Sequence, residues 1–213
     1  MVFAGWSDEA IEFFEGLEAE NTKAFWESHK PVYQAEVLAP MQALLDDLAP
    51  EFGAAKLFRP YRDTRFSADK SPYKTTIAAM VGRGGYLQFS AGGLGAGVGT
   101  FHMAADQLDR YRRSVDSDIS GAELDKILAR LTRDGSQLIT HDMLKTAPRG
   151  YPKDHPRIDL LRRKGVAVWN EFAPSDWLAS AGAPKTVAAF YRSAAPLRAW
   201  LDAHVGDSDI EPR

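Results

Sequence analysis

The sequence predicts an α+β domain, a mainly antiparallel sheet with N-terminal and C-terminal helices packed on it. Three observations predict it. Apolar residues recur at helical spacing near both ends of the chain. Between them lie short runs rich in aromatic and β-branched residues, separated by glycine turns. No linker, low-complexity tract or repeat divides the 213 residues, so 1–205 read as one domain and 206–213 as a polar tail.

The elements follow in order. Ser7 is a good N-cap, and Asp8 and Glu9 favour the first helical turn. Ile11, Phe14 and Leu17 continue that helix to about Ala19. Asn21 or Thr22 caps a second helix carrying Phe25, Trp26 and His29. Pro31 suits the first turn of a third, and Pro40 inside its apolar pattern predicts a kink or restart. Strands are expected at Lys56–Phe66, with Pro60 at an edge or bulge, and at Thr75–Val81, Gly85–Ser90, Leu94–Phe101 and Val166–Phe172. A short strand or turn is expected at Leu138–Lys145. Helices are expected at Ala104–Ser114, Gly121–Arg133, Ser175–Ala181 and Pro184–His204, with one turn at Ile158–Leu161. Pro148, Gly150, Pro152 and Pro156 stiffen the loop before that turn.

Composition narrows the function. No apolar run reaches the roughly 18 residues that span a bilayer, so no membrane association is expected. The opening MVFAGWSDEA lacks the basic and apolar regions of a secretory leader. Cysteine is absent, which removes disulfides, thiolate nucleophiles and cysteine metal sites and suits the cytoplasm. The five histidines form no HxxxH or HxH pair, so neither metal nor cofactor is expected. No G-x-S-x-G elbow occurs.

Charge is unevenly placed. Residues 1–55 carry eleven acids and two bases. Lys56, Arg59, Arg62, Arg65, Lys70 and Lys74 outnumber Asp63 and Asp69 in the next stretch. Residues 145–164 hold seven bases against Asp154 and Asp159. Such segments can form an anion-attracting field, or they can neutralise acidic helices.

Three segments carry chemistry. In FRPYRDTRFSADKSPYK (58–74) an extended backbone puts Phe58, Pro60, Arg62, Thr64 and Phe66 on the core side. Arg62 is then half-buried and needs a partner, a carboxylate such as Asp63 or an anionic ligand. Asp63, between Arg62 and Arg65, is a charge organiser rather than a base, because flanking guanidiniums lower its pKa. Lys70, Tyr73 and Lys74 complete a first set of phosphate or carboxylate donors. The glycines at 93, 95, 97 and 99 share one strand face. The bare face admits a helix, a ring or a ligand; the strand–glycine–helix order of a nucleotide fingerprint is missing. In LKTAPRGYPKDHPRIDLLRRK (144–164), Lys145, Arg149, Tyr151 and Lys164 form a second donor set.

RPYRDTRFSADKSPYKT (59–75), GGYLQFS (84–90) and LKTAPRGYPKDHPRIDLLRRK (144–164) together resemble a microbial family, domain of unknown function 2461. The resemblance extends to NTKAFWESHKPVY near the N-terminus and PLRAWLDAHVG near the C-terminus. It departs where the family's double asparagine and Trp-Phe stand here as Glu20-Asn21 and Phe25-Trp26. It implies a stand-alone α+β domain and brings no catalytic residue or cofactor.

Three functions compete. The first is a basic cleft for an anionic small molecule, phosphorylated or carboxylate, with or without acid–base or transfer chemistry. The second is a structural or protein-interaction module whose bases are spent in internal salt bridges. The third is a nucleic-acid binder, against which stand a sequence pI near 6.0 and no known motif.

Overall fold

In the computed structural model, which describes residues 2–65, 67–175 and 178–210, helices come first and last and a six-stranded sheet lies between them in sequence. Helix α1 spans Asp8–Ala19. Ser7 has the extended backbone of an N-cap, but its hydroxyl donates to Glu36 Oε2 at 2.7 Å instead of capping. Thr22 caps α2 (Lys23–Val32) by accepting from the Phe25 N–H at 3.1 Å.

Pro31 does not begin a third helix. It lies inside α2, which runs on through a π-helical segment, Tyr33–Leu38, into α3 (Ala39–Phe52). A proline removes one backbone donor from the α-helical ladder. The wider π turn takes up the mismatch before Pro40: the Ala39 N–H reaches the Gln34 carbonyl, five residues back. The expected kink at Pro40 is therefore a change of helical register.

The strands are β1 (Ala55–Leu57), β2 (Thr76–Val81), β3 (Gly85–Ser90), β4 (Gly93–Thr100), β5 (Gln137–Ile139) and β6 (Val166–Phe172). Their order in the sheet is β1-β2-β3-β4-β6-β5. Pairing is antiparallel for β1 with β2, β2 with β3 and β5 with β6; Ile77 faces Phe89 and Leu138 faces Val168. Helices α4 (Ala105–Asp116), α5 (Ser120–Arg133), α6 (Ile158–Arg162) and α7 (Ala183–His204) complete the fold. The α+β class read from the sequence is the one the chain adopts.

Three expected elements differ. The strand expected over 56–66 stops at Leu57, because Pro60 and the charged residues after it leave the ladder. The burial alternation persists to Arg65 without a partner strand, half-buried at 58, 60, 62 and 64 and exposed at 59, 61, 63 and 65. The strand expected over 138–145 is only Gln137–Ile139, followed by a single bridge between Met143 and Arg163. In the helix expected at 175–181, residues 178–181 form turns. Phe66, Trp177 and the last three residues of the expected tail lie outside the described residues.

The chain divides into two compact units, Met1–Ala96 with Glu171–Phe190, and Gly97–Asn170 with Tyr191–Arg213. In the first, Phe14, Leu17, Leu44 and Leu48 bury the inner faces of α1 and α3, leaving the acids of those helices outside. Trp6 stacks on Phe89 of β3, centroids 4.2 Å apart. Burying a phenylalanine contributes about 1.5–3 kcal/mol, and a stacked ring about 0.5–1.5 more. In the second, Tyr111, Val115, Leu124, Leu131 and Trp200 form the core. The buried Tyr111 hydroxyl donates to the Leu160 carbonyl at 3.1 Å, and the Trp200 indole donates to the Ser120 carbonyl at 2.9 Å.

Three of the β4 glycines are crowded by β6. In the first unit, a Cβ on Gly93 would stand 2.4 Å from the Phe172 carbonyl oxygen. In the second, one on Gly97 would press the Trp169 ring at 3.0 Å, and one on Gly99 would meet the Val166 carbonyl oxygen at 2.5 Å. At those positions the face receives a ring and backbone.

Candidate functional site

Residues 60–74 form a closed loop on the first unit. The Arg62 N–H donates to the Pro72 carbonyl at 2.9 Å and the Lys74 N–H to the Pro60 carbonyl at 2.8 Å. Tyr61 and Tyr73 face each other across this neck as an antiparallel bridge. Beyond it, the tip is laced by its own charges. Asp63 accepts from the Arg65 guanidinium at 2.6 and 3.0 Å. Lys70 donates to the Thr64 carbonyl at 2.9 Å. Arg62 pairs with Asp69, not with Asp63, and Asp69 also accepts from the Ser71 hydroxyl and N–H. Asp63 answers Arg65, two residues on, which donates to both of its oxygens.

The neck is held by Asn21. Its amide nitrogen donates to the Tyr73 carbonyl and its amide oxygen accepts from the Tyr73 N–H, both at 3.0 Å. One side chain thus supplies what a neighbouring strand would supply. Thr22, the better-placed cap, leaves Asn21 free for it. The Trp26 indole lies flat on the Tyr73 ring, centroids 4.4 Å apart with an 8° interplanar angle. Tyr33, from the π-helical segment, packs on Trp26 at 4.8 Å.

A cleft of about 420 Å³ opens beside this neck. Glu18 and Asn21 line it from the helical side, Arg62, Asp69, Ser71, Tyr73 and Lys74 from the loop, and Thr75 and Thr76 from the entry to β2. Its formal charges balance, Glu18 and Asp69 against Arg62 and Lys74. Lys74 lies over the Phe58 ring at 5.4 Å and has no carboxylate partner among the described residues. A cation over a ring keeps its full charge for other partners.

Electrostatics assign roles. Asp69 is held well below the usual carboxylate range by Arg62 first, then by Ser71. Asp63 is lowered by its hydrogen bonds from Arg65, with the Arg59 charge adding to them. Both are fixed anions and poor proton acceptors. Burial raises Tyr73, assisted by Tyr61 and Glu27. Burial likewise pushes Tyr33 up to about 12, with Tyr61 adding to it. These phenols stay neutral near pH 7. In the cleft, Asp69 is thus a fixed charge and the Tyr73 phenol a neutral donor.

Of the residues expected from sequence, Arg62, Tyr73 and Lys74 line the cleft. Asp63, Arg65 and Lys70 belong to the loop's internal network. Lys145, Arg149, Tyr151 and Lys164 belong to the second unit. There Lys164 pairs with Asp142 at 2.5 Å, which lowers Asp142. Lys145 and Arg149 are exposed, and Tyr151 is half-buried and raised by that burial. Glu18, Asn21, Asp69, Thr75 and Thr76 are lining residues the sequence reading did not single out. Only Asn21 carried a signal, an unused capping residue directly ahead of a better cap.

Among the described residues, no three histidine or carboxylate side chains gather closely enough to hold a metal ion. None of the described helices is long and apolar enough to cross a membrane. Residues 9–200 match the model of a conserved hypothetical protein family, DUF2461, and the chain belongs to that family. No curated protein and no solved structure matches it.

Proposed function

We propose that the cleft beside the 60–74 loop binds a small molecule through an anionic group, carboxylate or phosphate. The observation that carries this reading is Lys74. It lines the cleft together with Arg62, Thr75 and Thr76, and its ammonium, over the Phe58 ring, is unpaired with any described carboxylate. Arginine and lysine side chains bind carboxylate and phosphate through charge-assisted hydrogen bonds, and Arg62 keeps N–H groups beyond the one given to Asp69. The lowered acids favour binding over acid–base catalysis. The cysteine-free composition supports a cytoplasmic location.

A second reading has its own support. Arg62 is already answered by Asp69, and Arg65 by Asp63, so much of the loop's charge serves the loop itself. On that reading the segment is a structural or interaction module.

A thermal-shift series separates the two. The probes are inorganic phosphate, nucleotides, sugar phosphates and small carboxylates. A ligand at about a hundred times its Kd adds roughly 2.7 kcal/mol. That raises Tm by about 5–11 °C in a protein of this size. The expected result is a rise with one class, lost in Lys74→Met while that variant melts normally on its own. No rise with any probe favours the interaction module. A rise confined to oligonucleotides and fading with salt would replace both with a nucleic-acid reading.

A further inference from the structure

The polar groups of the cleft fall into two sets. Asn21, Arg62, Asp69 and Ser71 are engaged: the asparagine amide holds Tyr73, and Asp69 accepts from Arg62 and Ser71. Glu18, Lys74, Thr75 and Thr76 line the same space, and their side chains have no hydrogen-bond or ion partner among the described residues. The uncommitted charges are thus one carboxylate and one ammonium.

That pair selects against simple ions. A purely anionic ligand at Lys74 meets the like charge of Glu18. A purely cationic one at Glu18 meets Lys74. A molecule carrying both charges answers both groups and repels neither, which is how complementary charge produces specificity. The volume, about 420 Å³, sits low in the roughly 300–1,000 Å³ range of small-molecule clefts. It suits an amino acid or dipeptide better than a dinucleotide. The threonine hydroxyls donate or accept, so they fit either end of such a ligand.

We infer that the ligand is zwitterionic, an α-amino acid or short peptide, with its carboxylate at Lys74 and Arg62 and its ammonium at Glu18. This rests on reading the cleft as a small-molecule site. It replaces the free anion by an anion whose own molecule brings the counter-charge.

The test is calorimetric titration of the full chain with free amino acids and dipeptides. Each binder is repeated as its N-acetyl form, which lacks the ammonium, and as its amide, which lacks the carboxylate. Either change is expected to weaken binding about tenfold or more, the size of a lost charge-assisted hydrogen bond. Glu18→Gln is expected to weaken the free ligand equally and leave the N-acetyl form unaffected. Lys74→Met is expected to weaken the free ligand and leave the amide unaffected. Glu18 is exposed, so its variant keeps the parent Tm. If the N-acetyl form binds as tightly as the free one, or if Glu18→Gln changes nothing, the zwitterion is overturned and the anion site stands. If phosphate or sugar phosphates bind in a Lys74-dependent way and no amino acid or dipeptide does, the outcome is the same. If none of these probes binds, both readings fall.

Discussion

The two basic segments look alike in sequence and use their cations differently. In the 60–74 loop the arginines are answered by acids of the same loop, Arg62 by Asp69 and Arg65 by Asp63. In 144–164, Arg157 and Arg162 reach backbone as well as acids, Asp118 and Asp125 for the first and Asp159 for the second. Arg157 donates to the carbonyls of Val115, Asp116 and Ser117, at 2.6, 3.1 and 3.3 Å, where α4 ends. Arg162 donates to the Leu144 carbonyl at 2.7 Å. A helix end leaves carbonyls without intrahelical partners, and a guanidinium offers five donors in one plane. The first segment neutralises its arginines and leaves two ammoniums over, Lys70 on the Thr64 carbonyl and Lys74 without an acid partner among the described residues. The second acts as a bracket for the C-terminal end of a helix. A run of bases thus reports surplus donors and leaves open whether ligand, carboxylate or carbonyl receives them.

The largest expected effect tests the bracket. Arg157→Met should destabilise by about 3 kcal/mol, because its side chain is only 11% exposed and three carbonyls lose charged donors. Chemical denaturation measures it, and a loss below about 1 kcal/mol would mean that water replaces the guanidinium. Gly121→Ala should act in the same direction, since its Cβ would stand 2.6 Å from Arg157 Nε and 2.2 Å from the Val115 oxygen.

Next comes Asn21→Ala. Two hydrogen bonds to the Tyr73 backbone disappear, for about 1–3 kcal/mol, and the neck loosens. Amide exchange at Tyr73 should accelerate. Asn21→Asp should be no better, because a carboxylate cannot donate to the Tyr73 carbonyl. Arg62→Met should cost less than either, because its partner Asp69 is 58% exposed and such pairs are screened. Equal losses for Arg62→Met and Arg157→Met would erase the contrast between the segments.

Acid titration compares them again. Asp69 and Asp142 are each lowered by a cationic partner, Arg62 and Lys164. A carboxylate lowered on folding stabilises above its unfolded pKa, near 4, and that share is lost as pH falls through the folded value. Stability should therefore decline below about pH 4. Asp69→Asn and Asp142→Asn should each flatten that decline, read from Tm against pH. Asp106 supplies a reference in the second unit. It is lowered to about 2 by the Asp209 N–H first, then by Ser208 and neighbouring donors. The smallest effect is Arg149→Ala, exposed and expected to stay within about 0.5 kcal/mol.

The strands were legible where pattern and packing coincide. β3 keeps its expected limits because alternation and burial agree along its length, whereas β6 keeps its limits as a run whose first three residues are all buried. Residues 58–65 alternate too, but alternation records which side is covered, not whether a neighbouring strand pairs there. The proline signals misled for a related reason: Pro31 fits a first turn locally, yet it lies inside α2, which runs on into the π-helical segment. Of the site, Arg62 and Lys74 were legible as donors. Glu18 was not, because one exposed acid on an acidic helix has no local mark. The pairing of Arg62 with Asp69 depends on the loop's closure, which no pairwise spacing reveals.

The π-helical segment has a phase consequence. An α-helix turns about 100° per residue, and a π turn accommodates roughly one residue more than an α turn. Lys23–Val32 and Ala39–Phe52 are therefore offset like two screw threads with a spacer between them. Trp26 and Leu44 are both buried in this phase. Removing one residue such as Gln34 would let the run close as ordinary α-helix with both stripes still facing inward. Inserting one elsewhere in Ala39–Phe52 has no such slack, and would rotate Leu44 and Leu48 about 100° away from the core.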